Sequence, residues 1–283
     1  MRSVQHLGFV KPTEIQHEAI PAVMVGRDLI VSSQTGSGKT LAYLLPMMQR
    51  LLKSRPLSKR DARALILAPT RELAKQVYAQ LRLFVSNTPL TSALIVGGEN
   101  FNDQEKLLKR KPQIIVATPG RLVDHLEHKS FFLQGLEMLI LDEADRMLDL
   151  GFMPQLNAIH KAANHRLRQT LMFSATLDRE VDALVKEFLP DPYVYEVPNE
   201  ENDTANITHR VLTVDPEDRS AVLLRLVQGE GKSIIFTRTK MTAERLSESL
   251  TQAGVPAARL HGDLNQNQRN RNLERFTKGA CRV

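Results

Sequence analysis

Apolar positions along the chain fall into short continuous runs, separated by stretches in which they recur at helical spacing. The runs are Leu29–Val31, Ala64–Ala68, Ala93–Val96, Ile114–Ala117, Met138–Leu141, Thr170–Phe173 and Tyr193–Val197. Unbroken apolar runs of this length are what a strand buried on both faces needs. Between them, residues 41–52 read as a helix. So do Glu72–Val85, with Leu73, Val77, Leu81 and Val85 four apart, and Arg179–Leu189, with Val181, Leu184, Val185 and Phe188 on one face. Strand alternating with helix predicts an α/β fold, a parallel sheet flanked by helices on both faces.

The pattern is interrupted once. Pro198–Ala205 is polar, acidic and free of large apolar side chains, and reads as a linker. After it the alternation restarts. Ile207–Val214, Ser233–Phe236 and Ala257–Leu260 have the strand character; residues 219–226, 242–250 and 266–276 have the helical one. The expectation is therefore two units, 1–198 and 207–283, joined by 199–206. The second has the grammar of the first but stops early, at Val283. The basic stretch Lys53–Arg63 reads as an exposed loop.

Composition narrows the class. The chain has 283 residues, one cysteine (Cys281) and no tryptophan, so an internal disulfide is excluded and a cysteine cluster for a metal is too. The eight histidines show no metal-ligand spacing, and His125, His160, His165 and His209 read as surface or packing residues. No apolar run reaches the roughly 18 residues of a membrane span, and the N-terminus lacks an apolar signal core. The expectation is a cytoplasmic protein with no membrane partner. A net charge of +6 fits a polyanion partner without requiring one. With aromatics at 5%, stacking on bases is a poor candidate for the dominant contact; backbone contact suits the composition better.

The candidate chemistry sits where strands end. Ser33–Thr40 reads S-Q-T-G-S-G-K-T, between one apolar run and one helical stretch. Such a loop wraps an anion with backbone N–H groups at a helix N-terminus. Gly36 and Gly38 permit close backbone approach, Lys39 would reach the β- and γ-phosphates, and Thr40 would hold Mg²⁺. The general pattern wants glycine where this chain has Ser33, and a plain strand-to-helix turn remains an alternative. Asp142-Glu143-Ala144-Asp145 follows Met138–Leu141. There Asp142 could hold Mg²⁺ and Glu143 could polarise a water, or the acidic pair could cap a helix. Ser174 and Thr176 could bond to Asp142 or Asp145, or could cap the helix at Arg179. Pro69-Thr70-Arg71-Glu72 and Thr118-Pro119-Gly120-Arg121 each offer a helix start, a hydroxyl and an arginine, suited to phosphate or to an ordinary turn. Gly97-Gly98 could admit a nucleic-acid backbone or be a turn.

Taken in order, these motifs resemble the DEAD-box family of ATP-dependent RNA helicases, over almost the whole chain. The resemblance begins at residues 8–16 (Gly8, Phe9, Pro12, Thr13 and Gln16), similar to the family's adenine-reading motif. It continues through Ser33–Thr40, where the family accepts Ser at position 33. P-T-R-E-L-A from Pro69, Gly97-Gly98, T-P-G-R from Thr118, D-E-A-D from Asp142 and S-A-T from Ser174 follow. In the second unit, Ile234–Thr239 and Leu260-His261-Gly262-Asp263, with Gln266 and Arg269, are similar to two further motifs.

The resemblance implies two RecA-like domains, the first built on a P-loop parallel sheet and the second incomplete. ATP and RNA would bind across the cleft between them. It implies ATP and Mg²⁺ as cofactors, held by Phe9, Thr13, Gln16, Ser33, Gln34, Thr35, Gly36, Ser37, Gly38, Lys39 and Thr40, with Thr40 and Asp142 on the metal. Glu143 and Lys39 would be catalytic; Asp145, Ser174 and Thr176 would couple hydrolysis to RNA. Pro69, Thr70, Arg71, Gly98, Thr118, Gly120 and Arg121 would contact RNA through its backbone without reading sequence, joined by Arg238, Lys240 and Gln266. The implied activity is RNA-stimulated ATP hydrolysis that opens short duplexes. Later motifs of the family, including the arginine that stabilises charge on the transferring phosphoryl group, fall beyond Val283. Loss of such an arginine costs on the order of 10³–10⁵ in turnover, so weak turnover is expected of these 283 residues. Two alternatives remain open: an RNA- and nucleotide-binding module that does not unwind, and a DNA-directed helicase on the same scaffold.

Overall fold

The computed structural model describes residues 10–33, 36–56, 62–163, 168–197 and 208–283. Expectations for Gly8, Phe9, Gln34, Thr35, His165 and the linker 199–206 lie outside the described residues. The chain divides into two compact units, Met1–Glu200 and Glu201–Val283.

In the first unit, α1 (Glu14–Met24) precedes β1 (Leu29–Ser32), α2 (Lys39–Lys53), β2 (Ala64–Leu67) and α3 (Arg71–Val85). Then come β3 (Ser92–Ile95), α4 (Phe101–Lys109), β4 (Ile114–Ala117), α5 (Pro119–Glu127) and β5 (Met138–Leu141). The unit closes with α6 (Ala144–Asp149), α7 (Met153–Ala162), β6 (Gln169–Ser174), α8 (Arg179–Phe188) and β7 (Tyr193–Glu196). Each of the seven apolar runs became a strand, and the seven form one sheet in the order β3-β4-β2-β5-β6-β1-β7. Every pairing is parallel.

Alternate residues of each strand feed opposite faces. Leu29, Val31, Ile66, Ile140 and Phe173 pack with α1, α2 and α3, through side chains such as Ala19, Leu44 and Leu81. Ile30, Leu65, Leu67, Leu141 and Met172 pack with α4 to α8, through Leu108, Leu122, Met147, Ile159 and Leu184. Two apolar layers thus clamp the sheet and fix its register, because a slip of one residue would exchange the faces. β7 is the outer strand beside β1, and its residues are half-buried or exposed in alternation.

Arg63 corrects the reading of Lys53–Arg63 as an exposed loop. Residues 57–61 are outside the description, but Arg63 is 2% exposed. Its Nε donates to Glu137 Oε1 at 2.6 Å and its Nη2 to Glu137 Oε2 at 3.1 Å. Nη1 donates to the Leu51 carbonyl at 2.8 Å, and Nη2 to Ser54 Oγ at 2.6 Å. The guanidinium therefore ties the end of α2 to the start of β2 and β5. Breaking a buried pair by removing one partner costs about 3–5 kcal/mol. Arg63→Ala should lower the melting temperature by about 6–20 °C, at roughly 2–4 °C per kcal/mol for a unit of this size. Thermal unfolding followed by circular dichroism checks it; a shift under 2 °C would show the pair to be dispensable.

The second unit departs from expectation. Its helices form: α9 (Arg219–Val227), α10 (Lys240–Gln252) and α11 (Gln266–Thr277). Among its described residues there is no regular strand. Instead, residues 281–283 bridge two of the apolar runs. Ser233 N–H donates to the Arg282 carbonyl at 2.8 Å, Arg282 N–H to Pro256 at 3.0 Å, and Ala258 N–H to Val283 at 2.9 Å. One or two bonds per pair do not make a continuous ladder. The core is correspondingly small, centred on Val227, Leu250 and Val255, and Val211 and Phe236 are more than 90% exposed.

Candidate functional site

The loops singled out in the first unit leave the C-terminal ends of parallel strands, so they meet along one edge of the sheet. Strand order divides them. β5, β6 and β1 are consecutive and carry Asp142–Asp145, Ser174–Thr176 and Ser33–Thr40. β3, β4 and β2 are consecutive and carry Gly97-Gly98, Thr118–Arg121 and Pro69–Arg71. With neighbouring strands about 4.8 Å apart, each group of three loops spans roughly 10 Å.

In the first group the loop after β1 is held from several sides. Gly38 has φ +94°, a left-handed conformation open to glycine, and starts α2. A Cβ there would lie 2.6 Å from Gln16 Nε2 and 2.8 Å from Thr13 Oγ1, so a larger side chain would have to displace both. Gln16 Nε2 donates to the Gly38 carbonyl at 3.2 Å, while Gln16 Oε1 accepts from Thr13 N–H at 3.1 Å. Thr13 and Gln16 therefore rest directly on the loop. Lys39 is 8% exposed, and its Nζ donates to the Ser33 carbonyl at 3.0 Å, curled across the loop where an anion would sit. Ser37 Oγ donates to Ser33 Oγ at 3.2 Å, and Ser33 N–H donates to the Ser174 carbonyl at 2.9 Å. Gly36, at φ +89°, has open space around it.

Asp142 closes β5 and is 3% exposed. Burial raises its pKa, against the hydrogen bond from Tyr43 and the charge of Lys39. Tyr43, fully buried on α2, donates its hydroxyl to Asp142 Oδ2 at 2.8 Å. Tyr43 is hydrogen-bonded to the Thr40 side chain as well, so Thr40 and Asp142 share one partner, and their hydroxyl and carboxylate oxygens are hard donors of the kind Mg²⁺ takes. Glu143 is next, at φ +54° and ψ +58°, a left-handed conformation rare for a residue with a side chain. It starts α6, yet its side chain makes no capping bond. The capping alternative for the acidic pair is thus not realised. Burial, then the charge of Asp142, pushes the Glu143 carboxyl up, as suits a group meant to take a proton.

Asp145 joins two loops. Its Oδ2 accepts from Ala175 N–H at 3.0 Å, Thr176 N–H at 3.2 Å and Thr176 Oγ1 at 3.4 Å. Its own N–H donates to Ser174 Oγ at 3.3 Å. The other reading of Ser174 and Thr176, a cap for α8, is corrected. Asp178 caps α8 by accepting from Glu180 and Val181 N–H, both at 3.0 Å, and its closer position in sequence explains why.

In the second group, Pro69 is buried and Thr70 caps α3, accepting from Leu73 N–H at 3.2 Å. Gly98 has φ +75° and lies under Arg71; a Cβ there would come within 2.1 Å of Arg71 Nη1. Thr118 is 7% exposed and accepts from Gly97 N–H at 3.4 Å, while Gly120 faces open space. Arg121 turns inward, donating Nη1 to the Glu99 carbonyl at 2.8 Å and to Gln104 Oε1 at 3.2 Å. In the second unit, Arg238 is exposed, Lys240 pairs with Asp263 at 2.6 Å, and Gln266 donates to Asn270 at 3.0 Å.

Sequence reasoning missed Tyr43 and Gln104. Tyr43 carries a faint signal, since a tyrosine on an otherwise aliphatic helix face needs a partner for its hydroxyl. Gln104 carries none.

Two family models match the chain: the DEAD/DEAH box helicase model over residues 13–184 and the helicase conserved C-terminal domain model over residues 218–283. The chain is 43% identical to a probable ATP-dependent RNA helicase ddx27 of Dictyostelium discoideum, over 99% of this chain and 36% of that protein. It is 42% identical to the ATP-dependent rRNA helicase RRP3 of Saccharomyces cerevisiae, over 99% of this chain and 56% of that protein. It thus spans about a third to a half of these relatives. A crystal structure of a DEAD box protein from the hyperthermophile Methanococcus jannaschii superposes with a TM-score of 0.65 at 33% identity, covering all of this chain and 75% of that one. The RecA-like character expected of the parallel sheet is borne out by that likeness. The chain belongs to the DEAD/DEAH box helicase family.

Proposed function

We propose that the protein is an ATP-dependent RNA helicase whose first unit binds ATP over β5-β6-β1 and RNA over β3-β4-β2. The observation that carries this reading is the uncapped Glu143 carboxylate, held in a left-handed turn beside buried Asp142 and close enough to feel the charge of Lys39. Thr13 and Gln16, which already touch Gly38, would read adenine, so base recognition bears directly on the phosphate loop. Lys39 would leave the Ser33 carbonyl for the β- and γ-phosphates. Thr40 and Asp142 Oδ1 would hold Mg²⁺, which when bound neutralises phosphate charge. Glu143 would accept the proton of a water aligned on the γ-phosphate. Asp145, bonded to Ser174 and Thr176 rather than to solvent alone, would report hydrolysis from β5 to β6.

RNA would lie along Pro69, Thr70, Arg71, Gly98, Thr118 and Gly120, where open Gly120 and the helix starts suit a sugar–phosphate chain. Arg238, Lys240 and Gln266 are proposed as further contacts. Among the described residues, no helix is long and apolar enough to cross a membrane. With one cysteine in the chain, we place the protein in the cytoplasm.

The test measures ATP hydrolysis with and without single-stranded RNA, and with single-stranded DNA of the same sequence. Hydrolysis raised by RNA and not by DNA is the expected result. Indifference to both would overturn the helicase reading, and equal stimulation would redirect it to DNA.

A further inference from the structure

Behind the proposed RNA face lies a buried polar cluster that no part of the nucleotide chemistry uses. Gln104, on the first turn of α4, is 3% exposed. Its Nε2 donates to the Val96 carbonyl at 2.7 Å, just before Gly97-Gly98. That bond fixes the orientation of the amide, so Oε1 must be the acceptor. It accepts from Arg121 Nη1 at 3.2 Å and faces His125 Nε2 at 3.2 Å. His125 is fully buried, its Nδ1 has no hydrogen-bond partner, and its ring stacks on Phe101 at 4.0 Å and 11°. The arrangement assigns the proton to Nε2, which then donates to Gln104. Burial and the charge of Arg121 push the His125 pKa down to about 4, so the ring stays neutral and a single nitrogen donates.

Arg121 is committed to the same cluster. Its Nη1 also reaches the Glu99 carbonyl at 2.8 Å, its Nε lies 3.5 Å from Asp124 Oδ2, and its side chain is 15% exposed. Gly97 N–H, finally, donates to Thr118 Oγ1 at 3.4 Å. One glutamine side chain therefore joins three pieces of chain. These are the loop after β3, the first turn of α4, and the first turn of α5.

We propose that Gln104, together with Arg121 and His125, is a positioning device that holds Gly97-Gly98 and Thr118–Gly120 as one rigid surface for RNA, and that Arg121 serves this inward role rather than pairing with a phosphate. The proposal rests on the reading of this face as the RNA site. It moves Arg121 from the set of RNA contacts expected of the sequence to the set that shapes them. A buried amide that makes three hydrogen bonds at the junction of two loops favours one arrangement, because others leave those groups unpaired.

Phosphate contact and positioning differ in salt dependence. Each phosphate neutralised on a single strand contributes about 0.7 to the slope of log affinity against log salt. The experiment titrates a fluorescein-labelled single-stranded RNA into wild type, Gln104→Met, Arg121→Gln and the double variant, across a range of salt. ADP affinity and thermal unfolding are followed in parallel. Gln104→Met and Arg121→Gln should each weaken RNA binding about tenfold, and the double variant should be little worse than either, as expected for partners in one network. Salt slopes and ADP affinity should stay at wild-type values. A slope reduced by about 0.7 in Arg121→Gln, with RNA affinity unchanged in Gln104→Met, would overturn the inference and make Arg121 a phosphate ligand. If Gln104→Met does not fold, the slope of Arg121→Gln decides alone, in the same two directions. Absence of RNA binding by wild type would overturn the reading of the face, and the positioning role with it.

Discussion

Glu143→Gln should lower ATP hydrolysis by about 10²–10⁴-fold, the contribution of a positioned general base, and leave ATP binding within about twofold of wild type. Glutamine matches glutamate in shape, so the left-handed backbone at φ +54° is asked to carry nothing larger. The lost property is basicity. The Glu143 side chain makes no capping bond to α6, so its removal leaves no helix end unsatisfied and the fold should be indifferent. Burial and the neighbouring Asp142 charge both raise the Glu143 pKa, which makes it a better proton acceptor than a solvated glutamate. Single-turnover hydrolysis and equilibrium binding of a fluorescent ATP analogue separate the two effects. A variant that hydrolyses ATP at a tenth of the wild-type rate or faster would remove Glu143 from the role of base.

Asp142→Asn should lower hydrolysis by on the order of 10²–10³-fold, the scale for losing one preorganised electrostatic contact, and at the same time stabilise the unliganded protein. Burial raises the Asp142 pKa, so between its unfolded and folded values the native state binds more protons than the unfolded one. By linkage, stability then falls as pH rises through that window and stays lowered above it. Asparagine carries no charge to bury and can still accept the Tyr43 hydroxyl that Asp142 Oδ2 accepts at 2.8 Å. A gain of about 0.5–2 kcal/mol is the usual size for relief of strain at a functional site. It corresponds to a rise of about 1–8 °C in melting temperature, seen at pH 7 and vanishing toward pH 4. A melting temperature below wild type at pH 7 would show that the buried charge is compensated by its surroundings.

The core of the first unit was legible because its central strands β2, β4 and β5 are continuous apolar runs, as burial on both faces of a covered sheet demands. The site was legible to the extent that its residues sit in loops directly after strands. Thr40, Asp142 and Glu143 could be singled out as candidates by position, beside a turn or a cap as the alternative. Arg63 and Gln104 did not. Each lies in a polar or basic stretch and is buried through partners more than eight residues away, such as Glu137 and His125. Local pattern carries no record of such pairings. The second unit was misread where apolar composition was taken as sufficient for strands. Val211, Ile234 and Phe236 are apolar and exposed, because a strand also needs neighbours along its length.

The division of the sheet edge has a consequence for how such proteins can be altered. The chain crosses the seam between the two ligand groups only twice between β1 and β6: on the way from α2 to β2, and on the way from α5 to β5. Everything from β2 to α5 is one uninterrupted segment, and it carries the whole of the β3-β4-β2 surface. Across the seam, β2 meets β5 through regular ladder bonds and through Asp142 N–H to the Leu67 carbonyl at 2.9 Å, and side chains cross it as well, in the buried Arg63–Glu137 pair and in both apolar layers. That segment can therefore be exchanged only together with the side chains that meet it across the seam. Exchanged for its counterpart in a relative, it would need Glu137 and the facing apolar side chains matched as well as its two chain junctions.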